Sequence, residues 1–312
     1  MSSADSGALQ GSIDGLIDVP APAGARALAQ ALRVRHGDTV AAVLFYGSNF
    51  RRADDREGLL DLYVLVDDCR AALGGRLSTL ACRLLPPNVY YLELPHGGHA
   101  VRCKYALLEL TAFGRYMTAR QSYFWGRFGQ ASGVLYARDP AARQQVTQAL
   151  AQAVLSLLGR ALPLLPDQVD ETAWWQTALA ACYGAELRPE RPGAVEALVR
   201  DLAPWRERLT PLAAQRLAGV NMQQDGYRLR LGAGQRRAGR IGWVGRRLLG
   251  KTLNVARLLK AAFTFVGGVD YLLWKVERHS GVRVEPTPFL RRHPLLGIWG
   301  VAWRLWRRGG FR

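Results

Sequence analysis

Over the first third of the chain, apolar residues gather in short runs separated by polar or Gly/Pro-rich breaks, a rhythm that predicts strands. The first run, Val43-Leu44-Phe45-Tyr46, ends in Gly47-Ser48-Asn49-Phe50, and a second, Asp61-Leu62-Tyr63-Val64-Leu65-Val66, opens on a carboxylate. Residues 89–94 alternate as a third strand and turn at His96-Gly97-Gly98-His99 into a fourth over 100–107. Between the second and third strands, residues 71–84 read as helix or loop, closed by Pro86-Pro87-Asn88. A short helix is expected over 25–32, and residues 1–20 are small and polar with no period, which predicts a frayed tail. From Leu108 to Trp125 the period becomes helical. Alanines and leucines over 146–165, up to Pro166, predict a packed helix, and residues 172–183 another, leading to Gly184-Ala185-Glu186-Leu187-Arg188. The organisation expected is a tail over 1–20, a mixed α/β unit over 21–139, an all-helical unit over 140–225 and a distinct segment over 226–312.

Charge sets that last segment apart. The net charge is +17, and from Gly226 onward there are nineteen Lys and Arg against three acids, so the first 225 residues are nearly neutral. A basic region confined to one end predicts an anionic partner. Arg236, Arg237, Arg240, Arg246, Arg247, Lys251, Arg257 and Lys260 are interleaved at spacings of three and four with Ile241, Val244, Leu248, Leu249 and Leu253. That pattern predicts an amphipathic helix lying on an anionic membrane surface, with a helix packed on the protein as the alternative. Trp243, Trp274, Trp299, Trp303 and Trp306 suit the headgroup layer. No apolar run reaches bilayer-spanning length. Cys69, Cys82, Cys103 and Cys182 have no paired spacing, and the start carries no basic segment followed by an apolar one, so isolated buried thiols in a reducing, cytoplasmic setting are expected.

The candidate chemistry lies where the first two strands meet the turn between them. Gly47 lets the backbone approach an anion, Ser48 and the amides around it can donate to phosphate oxygens, and Asp61, thirteen positions after Ser48, offers a hard oxygen to magnesium. This is the pattern of a nucleotidyltransferase core. A second acid two residues on would share the strand face, but Tyr63 stands there, so another ligand must come from elsewhere. Asp67 and Asp68 are turn residues or further ligands. His96 and His99 read as a hairpin tip rather than a metal pair. Lys104 sits mid-strand among apolar neighbours, where an ammonium needs an acid or a bound phosphate.

With these residues laid out, the chain resembles the mitochondrial translocator-maintenance family of phosphatidate cytidylyltransferases, and its bacterial relatives more closely. Tyr46-Gly47-Ser48 with Asp61 and Tyr63 looks like that family's Tyr-Gly-Ser turn and acid-aromatic strand. Lys104-Tyr105 is similar to its Lys-Tyr strand end, and Tyr123-Phe124-Trp125-Gly126-Arg127 to its Tyr-hydrophobic-x-Gly-Arg segment. Tyr183-Gly184-Ala185-Glu186-Leu187-Arg188 is a weaker counterpart of its Tyr-x-Gly-Asp-x-Arg motif, with Glu for Asp. The likeness covers residues 40–200, and the stretch 253–281 looks like the bacterial relatives alone. The Trp-His and Asn-rich His-Tyr-Ser segments of the family have no counterpart here.

The resemblance implies a nucleotidyltransferase-like mixed sheet followed by a winged-helix-like helical unit, with transfer of CTP to phosphatidate giving CDP-diacylglycerol and pyrophosphate. It implies Gly47 and Ser48, with Tyr46, at the nucleotide phosphates, and Asp61 and Glu186 on Mg2+. Lys104, Arg127 and Arg188 would balance phosphate charge. It also implies a peripheral protein on the inner face of the cell membrane, with no nucleic acid among its partners. Two alternatives stay open: the same fold with another phosphate acceptor, and an inactive nucleotidyltransferase fold that binds membrane or RNA. Oligomeric state is not legible.

Overall fold

The computed structural model describes residues 3–18, 20–53, 58–186 and 192–264. Five apolar runs form one sheet: β1 (Val40–Tyr46), β2 (Leu60–Val66), β3 (Asn88–His96), β4 (His99–Glu109) and β5 (Ser132–Ala137). Their order is β3-β4-β2-β1-β5, with β2 and β4 parallel and the other neighbours antiparallel. The sheet is therefore mixed, as expected, and β1 and β2 are buried along almost their whole length, which explains their continuous rather than alternating apolar runs. The fifth strand was not foreseen: Ser132-Gly133-Val134-Leu135-Tyr136-Ala137 is too short and mixed to stand out.

Each sheet face has its own cover. Val43, Phe45, Leu62, Val64, Cys103, Tyr105 and Leu107 pack with α2 (Ala23–His36), α4 (Cys69–Leu73) and α5 (Arg76–Leu84). Leu44, Tyr63, Leu65, Ala106 and Leu108 point the other way, into a larger core shared with α1 (Ser3–Leu16), α6 (Leu110–Tyr116), α7 (Trp125–Phe128) and α8 (Pro140–Ala161). That same core continues into α9 (Glu171–Tyr183), α10 (Ala194–Asp201) and α11 (Ala203–Ala214), so buried side chains run unbroken past residue 140. α8 is its axis. Asp139 caps the helix by accepting from the Ala142 amide, Pro140 opens the first turn, and the helix stops just before Pro163.

Several expectations need correction. The first residues are not a frayed tail: α1 buries Leu9, Ile13 and Ile17 completely, at helical spacing, and Arg143 of α8 donates to Asp14 at 2.8 Å. Gly7, Gly11 and Gly15 dilute that stripe in the sequence. The unit over 140–225 is not all helical, because β6 (Gln168–Val169), β7 (Val220–Gln223) and β8 (Gly226–Leu229) form a small sheet in the order β6-β8-β7. The helix expected over 108–125 is only α6, followed by turns. Nor are all four thiols isolated: Cys69 and Cys82 form a disulfide between α4 and α5, while Cys103 and Cys182 are free and buried.

The basic segment enters the structure as α12 (Ala233–Thr264), and it packs on the protein along one side. Trp243, expected at a headgroup layer, is instead buried with its ring 6.0 Å from Trp125, and its indole N–H donates to the Arg160 carbonyl. Glycine makes the approach possible: a Cβ on Gly239 would collide with Pro163, and one on Gly250 with the Ala185 carbonyl. Arg236 binds Leu165 O and Asp167, and Lys260 binds the carbonyls of Ala81, Leu85 and Pro87 at the end of α5. On the opposite side Ile241, Val244, Leu248 and Val255 are exposed, Ile241 at 62% and Leu248 at 67%. Trp274, Trp299, Trp303 and Trp306 lie outside the described residues.

If α1 is a structural part of the core, Ile13→Ala should cost about 2–5 kcal/mol by leaving a cavity between α1 and α8. Urea unfolding of the variant would read this as a lower midpoint at unchanged slope, and a midpoint equal to that of the unmutated chain would contradict the packing.

Candidate functional site

The register of the sheet assembles the first half of the site. Tyr46 on β1 stands opposite Asp61 on β2, and Asp61 opposite Lys104 on β4, so three side chains from adjacent strands project from one face. Lys104 Nζ lies 3.1 Å from Asp61 Oδ1, both side chains partly exposed, which meets the requirement that this mid-strand ammonium face an acid. Gly47 leaves β1 with φ +86° and begins α3 (Gly47–Arg52). A Cβ there would sit 2.9 Å from Asp61 Oδ2, so the missing side chain is the space into which the carboxylate fits. Ser48 is exposed on the first turn of α3.

The second half comes from the helices. Arg127 on α7 reaches Glu186, in the turn after α9, with Nη2 3.6 Å from Oε2, and both side chains are largely buried. Gly126 allows this, since a Cβ there would lie 3.0 Å from Cys182 Sγ on α9. Arg127 also lies over the Tyr123 ring at 4.3 Å, with the Tyr46 ring 6.0 Å away. Tyr46 is thus the meeting point of the two halves. Burial first, then the charges of Asp61 and Glu186, push its pKa well above the ordinary phenol value, with Arg127 opposing, so it stays a neutral O–H donor. Burial works against the Arg127 charge, but Tyr123, Glu186, Tyr46 and Tyr63 around it hold its pKa above the ordinary guanidinium range.

Tyr63 explains why the second acid is missing from β2. Its ring meets Phe128 at 4.8 Å, Tyr46 at 5.5 Å and Phe113 and Phe124 at 6.5 Å, all inside the large core. The position is thus filled by an aromatic side chain packed in the large core. The other candidates resolve as structure. Asp68 caps α4 by accepting from the Arg70 and Ala71 amides and pairs with Arg83, and Asp67 pairs with Arg138. His96 and His99 are paired across the tip of the β3–β4 hairpin. Arg188 lies outside the described residues.

Among the described residues no three His, Cys, Asp or Glu side chains are grouped as a metal cage. Asp61 and Glu186 are carboxylates of the type that holds magnesium, an ion commonly bound by one or two carboxylates together with substrate phosphates and water, and each is paired here with a cation. Sequence reasoning missed one residue here: Arg257 of α12, whose guanidinium lies over Tyr123 at 4.0 Å. The signal was available in the spacing Gly239, Trp243, Arg246, Gly250, Arg257, which marks the packed face of α12 and carries cations within it rather than beside it. Compared with known proteins, the chain matches no family model and no curated protein.

Gly47→Ala should therefore do double harm, straining a left-handed backbone position by about 1–3 kcal/mol and displacing the Asp61 carboxylate. The expected result is a lowered melting temperature with a disproportionate loss of nucleoside triphosphate binding by calorimetry. Full retention of both would mean that the turn does not cradle the acid.

Proposed function

We propose that this chain is a magnesium-dependent phosphatidate cytidylyltransferase that joins CTP to phosphatidate, yielding CDP-diacylglycerol and pyrophosphate, while lying on an anionic membrane surface. The observation that carries the reading is the convergence on Tyr46 of two charge-paired units, Asp61 with Lys104 and Glu186 with Arg127. The five-stranded mixed sheet supports a nucleotidyltransferase-like fold. The order β6-β8-β7, with α9 to α11 between β6 and β7, supports a winged-helix-like second unit.

The chemistry asks little of a general base. A phosphate monoester is anionic near neutral pH; one of its oxygens attacks the α-phosphorus of CTP, the new P–O bond forms, and the bond to the bridging oxygen breaks as pyrophosphate leaves. Two anions must meet, so charge neutralisation is the main requirement. Asp61 and Glu186 would hold a magnesium ion, which when bound would supply part of that neutralisation. Lys104 and Arg127, whose partners in the free protein are these same acids, would turn to phosphate oxygens. Ser48, the amides after Gly47 and the protonated Tyr46 hydroxyl would donate to the triphosphate. Arg188 would add a further cation in the same role.

Two exposed apolar stripes support the membrane part. Leu77, Leu80 and Leu84 on α5 are exposed at 83%, 53% and 74%, flanked by Arg76 and Arg83, and Ile241, Val244, Leu248 and Val255 line the outer side of α12. No helix among the described residues is long and apolar enough to cross a bilayer, so these helices would lie in the interface. Each Lys or Arg near an anionic leaflet adds about 1 kcal/mol, enough for the basic segment to hold the protein down. Tyr63 at the second-acid position favours one rival, an inactive fold used for binding alone.

Asp61→Asn separates the two, since it keeps the shape and removes a negative ligand. Pyrophosphate release from CTP with phosphatidate vesicles and magnesium should fall to background while the melting temperature stays near that of the unmutated chain. Turnover unaffected in the folded variant would remove Asp61 from the site; no turnover in the unmutated chain favours the binding module. For the membrane contact, deletion of α12 would expose Trp125, so surface changes are cleaner. Ile241→Glu with Leu248→Glu should abolish co-sedimentation with vesicles of anionic lipid and spare activity on dispersed short-chain phosphatidate. Unchanged co-sedimentation would place the contact elsewhere.

A further inference from the structure

We propose that Arg257 binds the phosphate monoester of the acceptor, so that the basic C-terminal helix contributes a residue to the active site as well as a surface for lipid. The inference rests on the cytidylyltransferase reading for the identity of the ligand, and on the geometry of α12 for the residue. Arg257 Nε donates to the Pro86 carbonyl at 2.9 Å and Nη2 to Gln121 Oε1 at 2.7 Å. These two bonds fix the plane of the guanidinium. Its remaining nitrogen, Nη1, is buried and finds no partner among the described residues, and the hydroxyl of Tyr63 is in the same condition.

A buried, unpaired charged donor is costly, and such a group held in one orientation by its other donors is an acceptor site waiting to be filled. Charge points the same way. Arg257 and Arg127 lie over one aromatic ring, Tyr123, at 4.0 and 4.3 Å, and among the described residues Glu186 forms its ion pair with Arg127. The surplus is positive. A planar guanidinium offering a free N–H beside a second guanidinium suits phosphate oxygens.

The position of Arg257 selects the acceptor over the nucleotide. The nucleotide side of the site is built on β1, β2 and β4 around Gly47, Asp61 and Lys104. Arg257 lies over Tyr123 from α12, the helix whose opposite side exposes Ile241, Val244, Leu248 and Val255. A lipid whose chains stay with that outer stripe has its headgroup phosphate at the inner side. One helix thus carries both contacts, within about four and a half turns of each other along the chain. The chemistry recognised is a terminal phosphate with unesterified oxygens, which a lipid headgroup and a free phosphate share.

The test titrates short-chain phosphatidate, inorganic phosphate and CTP separately into the full chain without metal, by calorimetry. Arg257→Ala and Arg257→Lys are compared with Lys260→Met, which loosens the same helix at the end of α5 without touching the site. Arg257→Ala should weaken phosphatidate by about tenfold or more and CTP by less than about twofold, with Arg257→Lys between. Lys260→Met should leave both affinities unchanged. Loss of inorganic phosphate binding alongside phosphatidate supports the site and assigns recognition to the phosphate itself; loss confined to phosphatidate supports it and assigns recognition to the lipid. Unchanged phosphatidate affinity in Arg257→Ala overturns the proposal, as does an equal loss for CTP, an equal loss in Lys260→Met, or a failure of the unmutated chain to bind either phosphatidate or inorganic phosphate. Pyrophosphate release by the unmutated chain is followed in parallel. Arg257-dependent phosphatidate binding without release would defeat cytidylyl transfer and leave the Arg257 site standing.

Discussion

A carboxylate and an ammonium placed on neighbouring parallel strands set the terms for the rest of this molecule. Asp61, near the start of β2, stands opposite Lys104 in the middle of β4, and a one-residue slip of either strand would send one charge to the opposite, apolar face. Every side chain after Asp61 on β2 points by strict alternation into one of two cores, so the apolar packing of Leu62 to Val66 holds the acid in register. Gly47 then closes on it because no side chain intervenes. The ion pair is partly exposed and contributes little to stability by itself; its value lies in what the surrounding sheet does with two opposed charges at an open edge of the core.

The same economy governs the helices. Gly126 and Gly250 bring α7 and α12 against the α9 end of the helical unit, one at Cys182 and the other at Ala185, and Glu186 follows directly. A site assembled in this way is sensitive to packing far from any charged atom. It also explains why Arg127 keeps its charge in a buried setting: three tyrosine rings and one acid surround it. α12 is two helices in one, with Trp243, Gly250 and Arg257 turned in and Ile241, Val244 and Leu248 turned out.

The strands, the Gly47 turn, the pairing need of Lys104 and the charge asymmetry were legible in the sequence, because each is local: an apolar period, a glycine at a strand end, a lone cation among apolar neighbours. α1 was not, since glycines and serines hide a stripe that only α8 and α11 complete. The Cys69–Cys82 pair was not, since thirteen residues separate partners brought together by the α4–α5 turn. Trp243 was misread because an indole beside arginines has the same local pattern on a membrane helix and on a helix buried against Trp125.

What the sequence by itself determined is the set of groups: an acid and a lysine on strands, a glycine turn, an arginine after Gly126, a glutamate after Tyr183 and a basic amphipathic helix. Only the tertiary structure decided which of them meet. Asp61 with Lys104, Arg127 with Glu186 and Arg257 over Tyr123 are contacts between residues 43, 59 and 134 positions apart, and chain-local spacing carries no information about them. They follow from strand register and from the close approach that glycine permits, which are properties of packed surfaces and not of any one segment.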